Sequence, residues 1–250
     1  MKFAVYVPNT SRHFSALKYL VDSLALTLDA PVVHHTDDIP NDVVPVVLGA
    51  HAAPVHEEIV RRAIVYNTEQ HGYWFSPQYR RTMQLARAVW CVFGTVDCVC
   101  PTVAVPPGYV PGLGCRPHST LPGGIFRGYP TKHRLLTLDR IGEFTPVMAV
   151  YGAYGAQLPR ARWELCMHLG GHGTKLESVR CVEAIADGRA VIAEESAEVA
   201  GDWTSAIPQG LSKDEVLYHV RHSAEVHEQQ MFALRASPYS EIVREALKRL

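Results

Sequence analysis

The stretch Thr174-Lys-Leu-Glu-Ser-Val-Arg-Cys-Val-Glu-Ala-Ile-Ala-Asp-Gly-Arg-Ala-Val-Ile-Ala-Glu-Glu-Ser196 runs a charged helix directly into a buried strand. Leu176, Val179, Val182 and Ile185 recur at helical spacing, Gly188 supplies a stop, and Ala190-Val-Ile-Ala193 is an apolar run of the length of an inner parallel strand. Helix then strand is one α/β unit. Just upstream, His168-Leu-Gly-Gly-His-Gly-Thr-Lys175 is glycine-rich, and such a loop before a helix offers backbone N–H groups and the positive end of the helix dipole to a diphosphate. Gly171, Gly173, Thr174 and Lys175 are the candidate contacts there. Glu177 and Arg180 share one helical face, as do Arg180 and Glu183, and the same residues also read as a solvated, salt-bridged face.

Working outward, Phe3 to Pro8 reads as a first strand and Phe14 to Leu28 as a helix, with Phe14, Leu17, Leu20, Val21, Leu24 and Leu28 at helical spacing. Strand-like runs at 31–34, 43–48, 64–66, 89–93 and from Val103 alternate with helical patterns at 55–62 and 77–87. This alternation predicts a parallel sheet covered by helices on both faces. Ligands in such sheets sit outside the carboxyl ends of the strands, so Asn9 to Ser11, Asn67 to His71, and Gly94, Thr95 and Asp97 face one crevice. From Pro106 to Pro146 the chain is rich in Pro, Gly and basic residues, and reads as a solvated connection or a functional loop. A strand and Gly turn restart at Pro146 to Gly155, Gln157 to Met167 has room for one helix, and helices follow at 213–234 and 241–250 with a break at Ser237-Pro238.

Two hundred and fifty residues suffice for one large domain or two small ones, each with a sizeable core. The formal net charge of −1 provides no global pull toward nucleic acid or an anionic membrane. Neither a spanning helix nor a signal peptide is visible, so a cytoplasmic location is expected. The six cysteines, Cys91, Cys98, Cys100, Cys115, Cys166 and Cys181, read as reduced, partly buried thiols, and the first four lack the paired knuckles of a zinc site.

The blocks Tyr66-Asn-Thr-Glu-Gln70 and Pro106-Pro-Gly-Tyr109, with the pattern Glu177…Arg180…Glu183-Ala184…Asp187-Gly188…Val191-Ile192…Glu194, together resemble bacterial and phage glycosyltransferases of the two-domain GT-B architecture. The resemblance covers 63–112 and 146–196. It implies two Rossmann-like parallel-sheet domains: an acceptor-side domain over 1–112, a linker over 113–145, a reduced donor-nucleotide domain over 146–235 and a terminal helix over 236–250. It also implies a nucleotide-sugar co-substrate, a UDP-sugar first of all, with no other cofactor. Glu183-Ala-Ile-Ala-Asp-Gly-Arg-Ala-Val191 is similar to the family's Glu-Ala-φ-Ala-x-Gly-x-x-Val (φ apolar), whose Glu accepts hydrogen bonds from ribose hydroxyls. The family's second Glu, eight positions earlier, is Lys175 here, and Glu177 is the nearest substitute.

On this resemblance the chain is a glycosyltransferase acting on a glycan or small-molecule acceptor. Gly171, Gly173, Thr174, Lys175 and Arg180 would stabilise the leaving diphosphate, and Glu69, His71 or Asp97 at strand exits of the first domain would be the base. No DxD-like pair stands at a strand exit of the donor half, and Asp37-Asp38 lies in the other half, so no metal is expected. Besides another α/β enzyme whose glycine loop serves a different phosphate, two alternatives stay open. One is a phage-type enzyme that glycosylates a modified base in DNA, contacting the backbone through Arg116, Arg127, Lys132 and Arg134. The other is a nucleotide-sugar-binding protein without chemistry.

Overall fold

The computed structural model describes residues 1–8, 11–69, 76–114, 121–150, 161–168, 175–196 and 200–250, without the side chains of 11–16, 121 and 122. His71, Cys115, Arg116, Gly171, Gly173 and Thr174 lie outside the described residues. The chain divides into two compact units, 1–110 with 238–250, and 111–237.

In the first unit, strands β1 (Phe3–Tyr6), β2 (Val32–Val33), β3 (Val44–Leu48), β4 (Ile64–Asn67), β5 (Ala88–Cys91) and β6 (Thr102–Ala104) form an all-parallel sheet in the order β2-β1-β3-β4-β5-β6. β1, β3, β4 and β5 are buried at every position, the signature of strands covered on both faces rather than one. Helices α1 (Ser11–Leu28), α2 (Glu57–Arg62) and α3 (Pro77–Leu85) supply cover. α1 buries Leu17, Leu20, Val21 and Leu24, and α3 begins at Ser76, whose hydroxyl accepts from Tyr79 N–H, with Pro77 in the first turn.

The second unit holds a four-stranded parallel sheet, ordered β10-β9-β7-β8, from β7 (Leu121–Arg127), β8 (Val147–Val150), β9 (Ala161–Cys166) and β10 (Ala190–Ala193). Its helices are α4 (Lys132–Gly142), α5 (Ser178–Ala186), α6 (Lys213–Arg221) and α7 (Ser223–Arg235). The final helix, α8 (Tyr239–Leu247), belongs to the first unit. There Tyr239 N–H donates to the Tyr109 carbonyl at 2.9 Å, and the Tyr239 hydroxyl donates to that of Tyr66 at 3.2 Å.

Four expectations are corrected here. The segment 113–145 is not a linker, because it carries β7, an interior strand of the second sheet, and α4. Its Leu-Pro-Gly-Gly start hides the strand: Trp163 lies so close to Gly124 that a Cβ there would sit 2.3 Å from the indole, and the register shifts between Leu121 and Gly124. With that segment included, the second unit is as long as the first, and it is reduced only in strand number. The stretch before His168 forms β9 and not a helix, with Trp163 and Leu165 in the core.

Finally, β10 is an edge strand, not an inner one. It is wholly buried because its open side is covered. The Gln230 amide accepts from Val191 N–H at 2.9 Å and donates to Val191 O at 2.7 Å, while Ala193 exchanges bonds with Pro208 and Gly210.

Candidate functional site

Since all four strands of the second sheet run parallel, their carboxyl ends share one edge. β7 delivers Arg127 and the turn to α4, whose first turn holds His133 and Arg134; β9 delivers His168; β10 delivers Glu194, Glu195 and Ser196. α5 starts at the same edge with Glu177 at its N-cap. Two groups of charges lie here, and they differ in burial.

The deeper group centres on Arg127, a residue the sequence placed in a solvated loop. It is 1% exposed, its Nε donates to Glu164 at 2.7 Å, its Nη1 to Glu183 at 2.8 Å and its Nη2 to the Arg180 carbonyl at 3.3 Å. Arg189 donates to the other Glu164 oxygen at 2.9 Å and to Asp187 at 3.1 Å. Three carboxylates thus face two guanidinium groups. Burial raises the pKa of Glu183, Arg127 pulls it down, and Glu164 and Asp187 push it up again.

Glu183 therefore pairs with Arg127, not with Arg180, and its carboxylate is engaged inside the unit. Arg134 is also buried. It donates to the carbonyls of His168, Tyr129 and Met167 and to Glu177 at 3.0 Å, and lies over the Phe126 ring. Arg127 and Arg134 are thereby withdrawn from the proposed contact with a DNA backbone, and of the four residues only Lys132 is described and exposed.

The shallower group is Glu177 with Arg180 and Arg134. One Glu177 oxygen meets Arg134, and the other meets Arg180 Nη2 at 2.6 Å. The Arg180 Nη1 atom is buried with no partner, and so are the hydroxyl of Ser178, first residue of α5, and His168 Nδ1. Lys175 is buried just before the helix. The α5 N-cap makes no side-chain cap bond, and the N–H groups of Ser178 and Arg180 donate instead to the Leu176 and Glu177 carbonyls at 2.7 and 3.0 Å.

Beside it, His168 N–H donates to Glu194 at 2.9 Å, and its Nε2 lies 2.9 Å from the Glu195 carbonyl and 3.2 Å from Ser196 Oγ. A carbonyl only accepts, so Nε2 carries a proton. Glu194 also meets His133 Nε2 at 2.6 Å, whereas Glu195 is exposed.

In the first unit the carboxyl ends of β3 and β4 bring His51 and Glu69 together, with Nε2 3.2 Å from Oε1. Burial pushes the His51 pKa down to about 4, so the neutral ring donates its Nε2 proton to the carboxylate. Asn67 fixes the turn beneath: its Oδ1 accepts from Glu69 N–H and from the Tyr79 hydroxyl, and its Nδ2 donates to Glu69 O. Asp97 is exposed in the segment between β5 and β6.

Sequence reasoning missed His51, Arg127, Glu164 and His168. Glu164 carried one legible signal, a lone carboxylate within the apolar run Trp163 to Met167, which must find a buried cation. Among the described residues no group of three metal-ligating side chains occurs, Cys91, Cys98, Cys100, Cys166 and Cys181 are not disulfide-bonded, and no helix is long and apolar enough to cross a membrane.

Fold and site together define an α/β protein of two parallel-sheet units whose second unit gathers cations, a carboxylate and a helix N-terminus at one sheet edge. The chain matches no known family model and no curated protein.

Proposed function

We propose that the protein is a glycosyltransferase that moves a sugar from a nucleotide-sugar, a UDP-sugar first of all, to a glycan or small-molecule hydroxyl in the cytoplasm. The observation that carries this reading is the start of α5, where Arg180 and Ser178 keep unpartnered polar atoms beside Lys175 and an uncapped helix end. Cations and N–H groups fixed in advance stabilise the charge that grows on a departing diphosphate. Two parallel-sheet units and the return of α8 to the first unit support the same reading. Because Arg127 occupies Glu183, the ribose carboxylate is better assigned to Glu177, which lies at the helix start and is less buried. On the acceptor side the His51-supported carboxylate of Glu69 is the favoured base.

A DNA acceptor loses its main support with Arg127 and Arg134 buried. The test is a thermal-shift screen with UDP, GDP, ADP and TDP, followed by assay of nucleoside diphosphate release from the matching sugar donor. One diphosphate should raise the melting temperature, and Arg180→Ala should abolish most of the rise measured against its own unliganded melt. No shift with any of the four, or a full shift in Arg180→Ala, would refute the donor site. A shift without turnover of any sugar donor would mark a binding protein instead.

A further inference from the structure

The two arginines that share Glu177 are not equivalent. Arg134 is held by three backbone carbonyls as well as Glu177, so its guanidinium has nowhere else to go. Arg180 has Glu177 on Nη2 and nothing on Nη1. Its side chain is 18% exposed, against 1% for Arg134. Each oxygen of Glu177 serves one arginine, so breaking the Arg180 contact leaves the carboxylate tethered to Arg134. Nor does Glu177 cap α5 with its side chain. Ser178, fully buried at the first residue of the helix, also has a hydroxyl without a partner. A carboxylate thus sits on the exchangeable arginine, whose other terminal nitrogen has no partner.

We infer that Glu177 is the protein's own stand-in for a ligand oxyanion on Arg180, and that it sets the specificity of this site for multiply charged phosphate groups. The inference deepens the donor-site reading and rests on it only for the identity of the natural ligand. A singly charged anion that displaces Glu177 replaces one charge by one charge and gains little. A diphosphate brings more charge and more oxygens, enough to take Arg180 Nη2 and also satisfy Nη1. Glu177, kept by Arg134, then has one oxygen released. Discrimination comes from an internal competitor that weak ligands fail to displace.

Calorimetric titration of the full chain with inorganic pyrophosphate and with methyl phosphate, at constant ionic strength, tests this. The wild type should bind pyrophosphate and discriminate against methyl phosphate. Glu177→Gln should tighten methyl phosphate by about five- to tenfold, the scale of a partly exposed ion pair, and pyrophosphate by less, so the discrimination narrows. Glu177→Asp, which keeps the charge but draws it back from Arg180, should move both affinities the same way and decides the matter if the Gln variant does not fold. Arg180→Ala should lose the response to both anions. Unchanged or weaker binding in the Glu177 variants, or no pyrophosphate binding by the wild type, would overturn the inference. Neither probe carries a sugar, so the outcomes separate. The affinity pattern without any donor turnover sinks only the transfer reading, and turnover without the pattern sinks only the exchange.

Discussion

Glu177 and Glu183 lie on the same short helix, and burial gives them opposite roles. Glu183 is locked by Arg127 among charges almost wholly removed from water, where each ion depends on its partner to offset lost hydration. Arg127→Met should therefore cost about 3–5 kcal/mol in urea unfolding, because Glu183 would be left buried and uncompensated, with Glu164 held by Arg189 alone. Glu183 also has a pH signature. Burial raises its folded pKa above that of an ordinary glutamate, so the folded state takes up its proton first, and the stability it contributes is lost as pH rises through the folded value. Relative to Glu183→Gln, the wild type should be more stable near pH 4.5 than near pH 8, as urea melts at the two pH values would show. A difference independent of pH would mean that Glu183 ionises normally.

Elements in the second unit are secured by single residues that no pattern announces. β7 passes beneath Trp163 only because position 124 has no side chain. Gly124→Ala should destabilise by about 3 kcal/mol or more, the cost of overpacking a rigid ring, and should perturb tryptophan fluorescence. β10 is an edge strand made safe by one amide. Gln230→Leu leaves Val191 N–H and O buried without partners and should cost about 2 kcal/mol, with faster hydrogen exchange at Val191 than at Leu165 of β9. Equal protection of both strands would mean that the 208–210 segment alone suffices to cover the edge.

At the scale of the whole molecule, the chain's last helix completes the unit that its first strand begins. Tyr239, Val243 and Ala246 are buried, α8 packs on α1, and Tyr239 joins Tyr66, whose hydroxyl donates to the Val105 carbonyl. Truncation after Ser237 should lower hydrogen-exchange protection across β4 and β5 while leaving β7 and β9 protected, since the second unit contains none of the deleted residues. Equal loss in both sheets would show that the two units unfold together.

The α/β class, the parallel sheet of the first unit and the helix-to-strand passage from Leu176 to Ala193 were legible in the sequence, because covered parallel strands are short apolar runs and amphipathic helices have their own period. The start of α5 was legible as a polar site for a related reason: Lys175, Glu177 and Arg180 are neighbours along the chain. What lay beyond local pattern was decided by tertiary packing. A glycine-rich run became an interior strand because a distant indole fits against it, and an arginine read as a loop charge became the buried centre of five. Arg127 meets Glu164, 37 positions on, and Glu183, 56 positions on, and chain spacing carries no signal for such contacts. Which carboxylate is buried and which remains exchangeable follows from the desolvation each suffers, and desolvation is a property of the folded surroundings.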